Sequence, residues 1–240
     1  MKLIRASYQI LSKIDGKEIL KNIELAGRTC YKSEDKMTEE SSEKFIEMLI
    51  KRGHESVLEH EKITIRFIVD RGVSHELVRH RIASFSQEST RYCNYSKDKF
   101  DNQLTFIIPC WLDILKEGEY MYSRDEVNVL CNNEAIYIPI GSLPELKGNR
   151  AIKYWISSML DIEGRYSIMV KDGWTPQQAR SILPNSLKTE IVVTANLREW
   201  RLILRQRTAS AAHSQMREVM IPLLNELKTL LPVVFNDITY

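Results

Sequence analysis

The chain has 240 residues, 43% of them hydrophobic, enough to bury the core of one large domain. Its 34 lysines and arginines nearly balance 32 aspartates and glutamates, leaving a net charge of +2. That balance excludes a disordered polyelectrolyte and a surface that coats nucleic acid by bulk charge, so any anion site must come from local clustering. The first residues, Met1-Lys2-Leu3-Ile4-Arg5, lack the apolar run of a secretory signal, and no stretch approaches the roughly 20 apolar residues of a membrane span. Cys30, Cys93, Cys110 and Cys131 are scattered without a C-x-x-C pair, which fits a reducing compartment better than a disulfide framework or a zinc site. A soluble cytoplasmic protein without metal is the expectation.

In chain order, Lys2 to Leu11 alternates apolar and polar residues and reads as a strand. Lys17 to Thr29 places Ile19, Leu20, Ile23 and Ala26 at helical spacing. Thr38 is a candidate N-cap for a helix over Glu39 to Arg52, with Phe45, Met48 and Leu49 inward and Gly53 as its stop. Lys62 to Val69 is a strand with Ile63, Ile65, Phe67 and Val69 on one face. A short helix follows over Val73 to Arg79, then an irregular or extended segment to Tyr95, and a buried strand over Leu104 to Ile108. The pattern weakens from Cys110 to Gly148, which marks residues 110–148 as a candidate insertion. Asn149 to Lys171 reads as a long amphipathic helix, and Pro176 starts another that Leu183-Pro184 ends. Ser186 to Thr194 is a β-branched strand, followed by helices over Leu197 to Gln206 and Ala212 to Leu231, the last one kinked or interrupted at Pro222. Without repeats or linkers, the irregular alternation predicts one mixed α+β domain over residues 1–240, an antiparallel sheet packed with helices.

The densest chemistry lies in Arg79-His80-Arg81-Ile82-Ala83-Ser84-Phe85-Ser86-Gln87-Glu88-Ser89-Thr90-Arg91-Tyr92. Arginine forks match phosphate oxygens, and Gln87 and Ser89 can bond a base edge or a phosphate. Composition alone leaves two readings, a nucleotide-type anion site or a solvated basic helix end. Upstream, Gly53-His54-Glu55-Ser56-Val57-Leu58-Glu59-His60 groups two histidines with acidic residues. Their six-residue separation is not the H-E-x-x-H spacing of a zinc site, and His54 could simply cap the preceding helix. Downstream lie Ala179-Arg180-Ser181-Ile182-Leu183-Pro184 and Asn196-Leu197-Arg198, with Arg207 at the end of the same helix. Arg207 there would be favoured by the helix dipole alone, and Arg201 and Arg205 read as a solvated face.

Together these four segments resemble the flavin-dependent thymidylate synthases, whose signature of Arg-His-Arg, seven residues and Ser is matched by Arg79-His80-Arg81 and Ser89. The resemblance implies conversion of dUMP to dTMP with FAD as cofactor, methylenetetrahydrofolate as carbon donor and NADPH as reductant. It implies FAD contacts from His54, Ser56, Arg79, His80, Arg81, Gln87, Asn196, Arg198 and Leu202, with Leu202 standing where many members carry a polar residue. By the same resemblance Glu76, Arg79, Gln87, Glu88, Ser89, Thr90, Arg91, Arg180 and Arg207 hold dUMP, and Arg207 is catalytic through the charge that develops on the uracil. A homotetramer with shared sites is implied as well. His213 lies in a Thr-Ala-Ser-Ala-Ala-His run like that of some members. Two other classes remain readable. One is a nucleic-acid-binding module built on Arg79 to Arg91, with Phe85, Tyr92 and Tyr95 to stack bases. The other is a hydrolase using Ser89, for which His80 is the nearest base but no acidic partner or G-x-S-x-G elbow is present.

Overall fold

The alternating segment at the start of the chain serves two sheets rather than one. In the computed structural model, β1 (Lys2–Ile4) ends before Arg5 and β2 (Ser7–Ile10) belongs to a different sheet. The single strand expected over Lys2 to Leu11 is therefore split. At the break, Arg5 N–H donates to Glu117 Oε1 at 2.7 Å instead of to a neighbouring strand. The structure describes residues 1–113, 115, 117–123, 126–131, 134–139 and 149–240, and side chains outside 121–150. The chain divides into two units, Met1–Ala6, Ile68–Ser74 and Gln87–Glu190 in the first, and Ser7–Phe67, His75–Ser86 and Ile191–Tyr240 in the second.

In the first unit, β1 pairs in parallel with β5 (Thr105–Ile107) and antiparallel with β6 (Gly118–Ser123). Antiparallel β7 (Glu126–Cys131) and β8 (Glu134–Pro139) complete the order β5-β1-β6-β7-β8. Part of the candidate insertion at 110–148 is thus a meander, while 114, 116, 124–125, 132–133 and 140–148 lie outside the described residues. Helix α4 (Asn149–Lys171) has the bounds its periodicity predicts, and it packs on β6 and on α5 (Pro176–Ala179). A reciprocal pair of bonds starts α5: Thr175 caps the backbone three residues on, and Gln178 returns to the Thr175 N–H at 2.9 Å. Leu3, Phe106, Tyr120, Ile156, Leu160 and Tyr166 share the core.

The second unit is built on the sheet β2-β3-β9-β4, to which it contributes β2 and most of β3 (Lys62–Asp70), β4 (Ala83–Gln87) and β9 (Lys188–Asn196). Ile63, Ile65, Phe67 and Val69 of β3 are buried in alternation, as their period of two requires. Helix α1 (Gly16–Tyr31) starts where Asp15 Oδ1 accepts from Lys17 and Glu18 N–H, and it ends at Lys32 in the left-handed conformation. It packs on α2 (Ser41–Lys51) through Gly27, where an added Cβ would meet Phe45 Cε1 at 2.7 Å. Thr38 is not the cap of α2. Its N–H instead donates to Ser41 Oγ at 2.8 Å, and that hydroxyl donates on to the buried Glu24. Asp70 starts α3 (Arg71–Leu77) earlier than expected, because its carboxylate accepts from Val73 N–H at 2.7 Å.

Helix α6 (Leu197–Thr208) is capped by Asn196, whose Oδ1 accepts from Glu199 N–H at 2.8 Å. Trp200 fixes it to β3 through a 2.9 Å bond to Ile63 O. Next comes α7 (Ser214–Leu230), which continues through Pro222, so the helix is not interrupted where the sequence predicts a kink or an interruption. Pro222 lies on the exposed face, where water can satisfy the carbonyl it frees. The short α8 (Pro232–Phe235) follows. Antiparallel strands packed with helices make the fold α+β, and the first unit's sheet also contains the parallel β1–β5 pair. Among the described residues, no helix is long and apolar enough to cross a membrane, and no group of three or more His, Cys, Asp or Glu is placed to hold a metal ion.

Candidate active site

Arg207 organises the candidate residues of the second unit. Its Nε donates to His80 Nε2 at 2.9 Å, Nη1 to Glu76 Oε2 at 2.7 Å, and Nη2 to the Glu76 carbonyl at 2.9 Å. A guanidinium has five N–H groups, so among the described residues these bonds leave one each on Nη1 and Nη2. The side chain is 19% exposed, so part of it is open to solvent while most is shielded from water. Glu76, which by itself would pass as a solvated carboxylate, is the counterion of this group.

His80 is buried, at 6% exposure. Burial first, and the Arg207 charge second, pull its imidazole down to about 4. Because an arginine Nε can only donate, His80 Nε2 must accept, and the proton of the neutral ring sits on Nδ1. That nitrogen faces Glu199 Oε1 at 3.6 Å, and burial raises the Glu199 carboxyl above its ordinary value. His80 is therefore committed within its own unit and is no free base for a serine nucleophile. Glu199 was not singled out from the sequence. It directly follows Arg198 in a charge-rich stretch, and nothing in the spacing ties it to His80.

The neighbouring arginines fall into distinct environments. Arg79 and Arg81 are exposed, and their side chains make no hydrogen bond or ion pair among the described residues. Arg198 is half exposed and paired with Glu59 at 2.6 Å. Arg201 departs most from expectation, because the solvated face assigned to it is fully buried. It forks onto Asp237 with two 2.7 Å bonds, reaches Glu55 at 3.1 Å, and donates to the Val234 carbonyl. Arg205 remains exposed and shares Asp237. His54 and Ser56 are exposed at the start of the 3-10 turn Glu55–His60, after Gly53 turns the chain at φ +72°. Leu202 is exposed on α6, while Asn196 commits its oxygen to the helix cap.

In the first unit, the end of β4, the loop after it and the turn after α5 carry the other candidates. Gln87 Nε2 donates to Ser74 Oγ at 2.8 Å and to Thr189 Oγ1 at 3.2 Å. Ser89 Oγ accepts from Arg91 N–H at 3.3 Å, and Arg91 Nε donates to Gln177 at 3.1 Å. Arg180 is exposed and reaches the buried Thr90 hydroxyl at 3.4 Å. Glu88 accepts from Tyr95 at 2.8 Å and from Lys188 at 2.8 Å, in the wall of a cavity of about 160 Å³. Burial and then Glu88 push the Tyr95 phenol up. Tyr95 is buried and so presents no ring for base stacking, unlike the exposed Tyr92.

The model of the family described as "Thymidylate synthase complementing protein" matches residues 10–233. A flavin-dependent thymidylate synthase of Corynebacterium efficiens is 30% identical over 218 residues, covering 90% of this chain and 78% of that protein. The chain belongs to the flavin-dependent thymidylate synthase family. It is accordingly an enzyme of that family. A flavin-dependent thymidylate synthase of Mycobacterium sp. (strain JLS) is 32% identical over 220 residues, with coverage of 90% and 78%. Among solved structures, a UMP/dUMP methylase PolB from Streptomyces cacaoi, bound with 5-Br UMP, superposes with a TM-score of 0.70. That likeness covers 98% of this chain and 95% of the other at 19% identity, and it concerns the fold.

Proposed function

We propose that the protein converts dUMP to dTMP, using FAD, methylenetetrahydrofolate as carbon donor and NADPH as reductant. The observation that carries this reading is Arg207, held by Glu76 and His80 with two guanidinium N–H groups left to donate. A uracil ring reacts poorly until negative charge on N3 and the adjacent carbonyl is stabilised, and a preoriented planar cation suits that charge. Arg79, Gln87, Glu88, Ser89, Thr90, Arg91 and Arg180 are assigned to phosphate and base, where they would hold the nucleotide in register for reaction.

The donor set fits a flavin dinucleotide. Exposed Arg79 and Arg81, with side chains unpartnered among the described residues, suit its diphosphate, and His54, Ser56, Gln87, Arg198 and Leu202 complete the assigned contacts. His80 and Asn196, assigned by resemblance, would contribute from beside it, since their ring nitrogen and side-chain oxygen are engaged in the fold. When bound, FAD supplies hydride chemistry that no side chain can. We further take residues 1–240 as one family domain, working in the cytoplasm as a homotetramer with shared sites. The nucleic-acid reading has no observation in its favour.

Reconstitution with FAD tests the proposal. A yellow protein that oxidises NADPH, forms dTMP from dUMP and methylenetetrahydrofolate, and sediments as a tetramer is the expected result. A protein that stays colourless with FAD and forms no dTMP would overturn it.

A further inference from the structure

We propose that Glu199 is a positioning residue for Arg207, acting through the tautomer of His80. The inference rests on the assignment of Arg207 to the uracil. Two charged groups of α6, Arg207 and Glu199, face the His80 ring from opposite nitrogens, and Glu76 of α3 reaches the far side of the Arg207 guanidinium. Arg207 can keep its Nε bond only while His80 Nε2 carries a lone pair. Neutral imidazole has two tautomers, and the one with its proton on Nε2 would set two N–H groups against each other. Placing an acidic oxygen 3.6 Å from Nδ1 favours the proton there and disfavours the alternative.

Glu199 itself is 6% exposed, and His80 is its facing titratable group. A buried carboxylate with so little hydrogen bonding is costly to keep for packing alone. Its backbone is fixed independently, because Glu199 N–H is held by Asn196 Oδ1 at the helix cap. The carboxylate is thus delivered by the first turn of α6 while Arg207 comes from the last, and His80 links the two ends. If Arg207 lost this restraint its guanidinium could rotate about the Glu76 contacts, and the two spare N–H groups would no longer be aimed. The effect should appear in the dUMP-dependent step and spare flavin reduction.

The test has a spectroscopic arm and a kinetic arm on the full chain. With selective 15N-histidine labelling at pH 7, His80 should be neutral with its proton on Nδ1, and Glu199→Leu should move it toward the other tautomer or a mixture. In steady state with FAD, Glu199→Leu should lower kcat/KM for dUMP about tenfold with NADPH-driven flavin reduction unchanged. Glu199→Gln, which keeps an acceptor oxygen at the same place, should recover most of that loss. His80 found on the other tautomer in the parent protein, or Glu199→Leu with normal dTMP kinetics in a background where Arg207→Ala cripples them, overturns the inference. Equal losses in Glu199→Gln and Glu199→Leu also overturn it. Normal dTMP formation by Arg207→Ala would instead sink the underlying uracil assignment, whichever tautomer the spectra report.

Discussion

Arg201 and Arg207 share one helix, one side-chain chemistry and shelter from solvent, yet their surroundings differ in kind. The four terminal N–H groups of Arg201 meet Asp237, Glu55 and the Val234 carbonyl, and its Nε is the buried atom left without a partner. Arg207 is the reverse, with Nε engaged by a neutral histidine and a donor unspent on each terminal nitrogen. Among the described residues, two carboxylates compensate the first arginine and one the second. An arginine whose charge is fully answered by the fold is a clasp, here tying the C-terminal segment to the turn that carries Ser56. One with donors left unanswered at partial exposure is available to a ligand. Burial alone does not separate the two cases; the count and direction of remaining donors does.

The largest expected effect sharpens that distinction on the structural side. Arg201→Ala should cost about 3 kcal/mol of folding stability, because it removes a fully buried side chain with four hydrogen bonds and leaves Asp237 and Glu55 only the exposed Arg205 as a cation. Arg201→Lys should recover only part, lacking the planar fork. Denaturant unfolding monitored by circular dichroism checks both, and a loss below about 1 kcal/mol for the alanine variant would make Arg201 a surface residue in energetic terms.

The neutral histidine beside Arg207 predicts a pH response of its own. His80 titrates at about 4 in the fold against an ordinary value of 6.5, so in that window the unfolded chain binds a proton that the folded chain does not. Stability should therefore fall as pH drops from about 6.5 toward 4, by up to roughly 3 kcal/mol from this group. Glu199 opposes it in part, since a raised carboxyl takes up its proton earlier in the fold than in the unfolded chain. Comparing the stability-against-pH curves of the parent and His80→Asn isolates the contribution. An unchanged slope between pH 4 and 6.5 would mean that His80 is protonated as readily in the fold as outside it.

A smaller effect is expected at Ser89, whose hydroxyl accepts a 3.3 Å bond from Arg91 N–H. Ser89→Ala should weaken dUMP binding by about tenfold and leave measurable turnover, the pattern of a ligand contact rather than a nucleophile. Isothermal titration of dUMP together with dTMP formation reads both. Abolished turnover with intact dUMP binding would reverse the assignment.

The contrast between the two arginines also shows what the sequence could and could not convey. Period-two burial in β3 and the helical period of α4 were legible because each depends on local alternation that one stretch of chain carries. The four motifs were legible through a resemblance that spans Gly53 to Arg207, and the family match over residues 10–233 bears it out. Arg201 was misread because its partners, Asp237 and Glu55, are distant in sequence, and no spacing rule on α6 points to them. Glu199 was overlooked for the same reason, as its meaning depends on where His80 falls. The split of the first strand turned on a carboxylate more than a hundred residues downstream, Glu117, which accepts the Arg5 N–H. Local patterns name elements, but the state of a buried charge is set by tertiary partners.

Arg207→Ala tests the central claim most directly, with NADPH-driven flavin reduction, dUMP affinity and dTMP formation measured on one preparation. Removing a preoriented cation from developing charge typically costs about 3 kcal/mol, so dTMP formation should fall about a hundredfold while flavin reduction stays near the parent rate. A folded Arg207→Ala protein that forms dTMP at a near-normal rate would contradict the account.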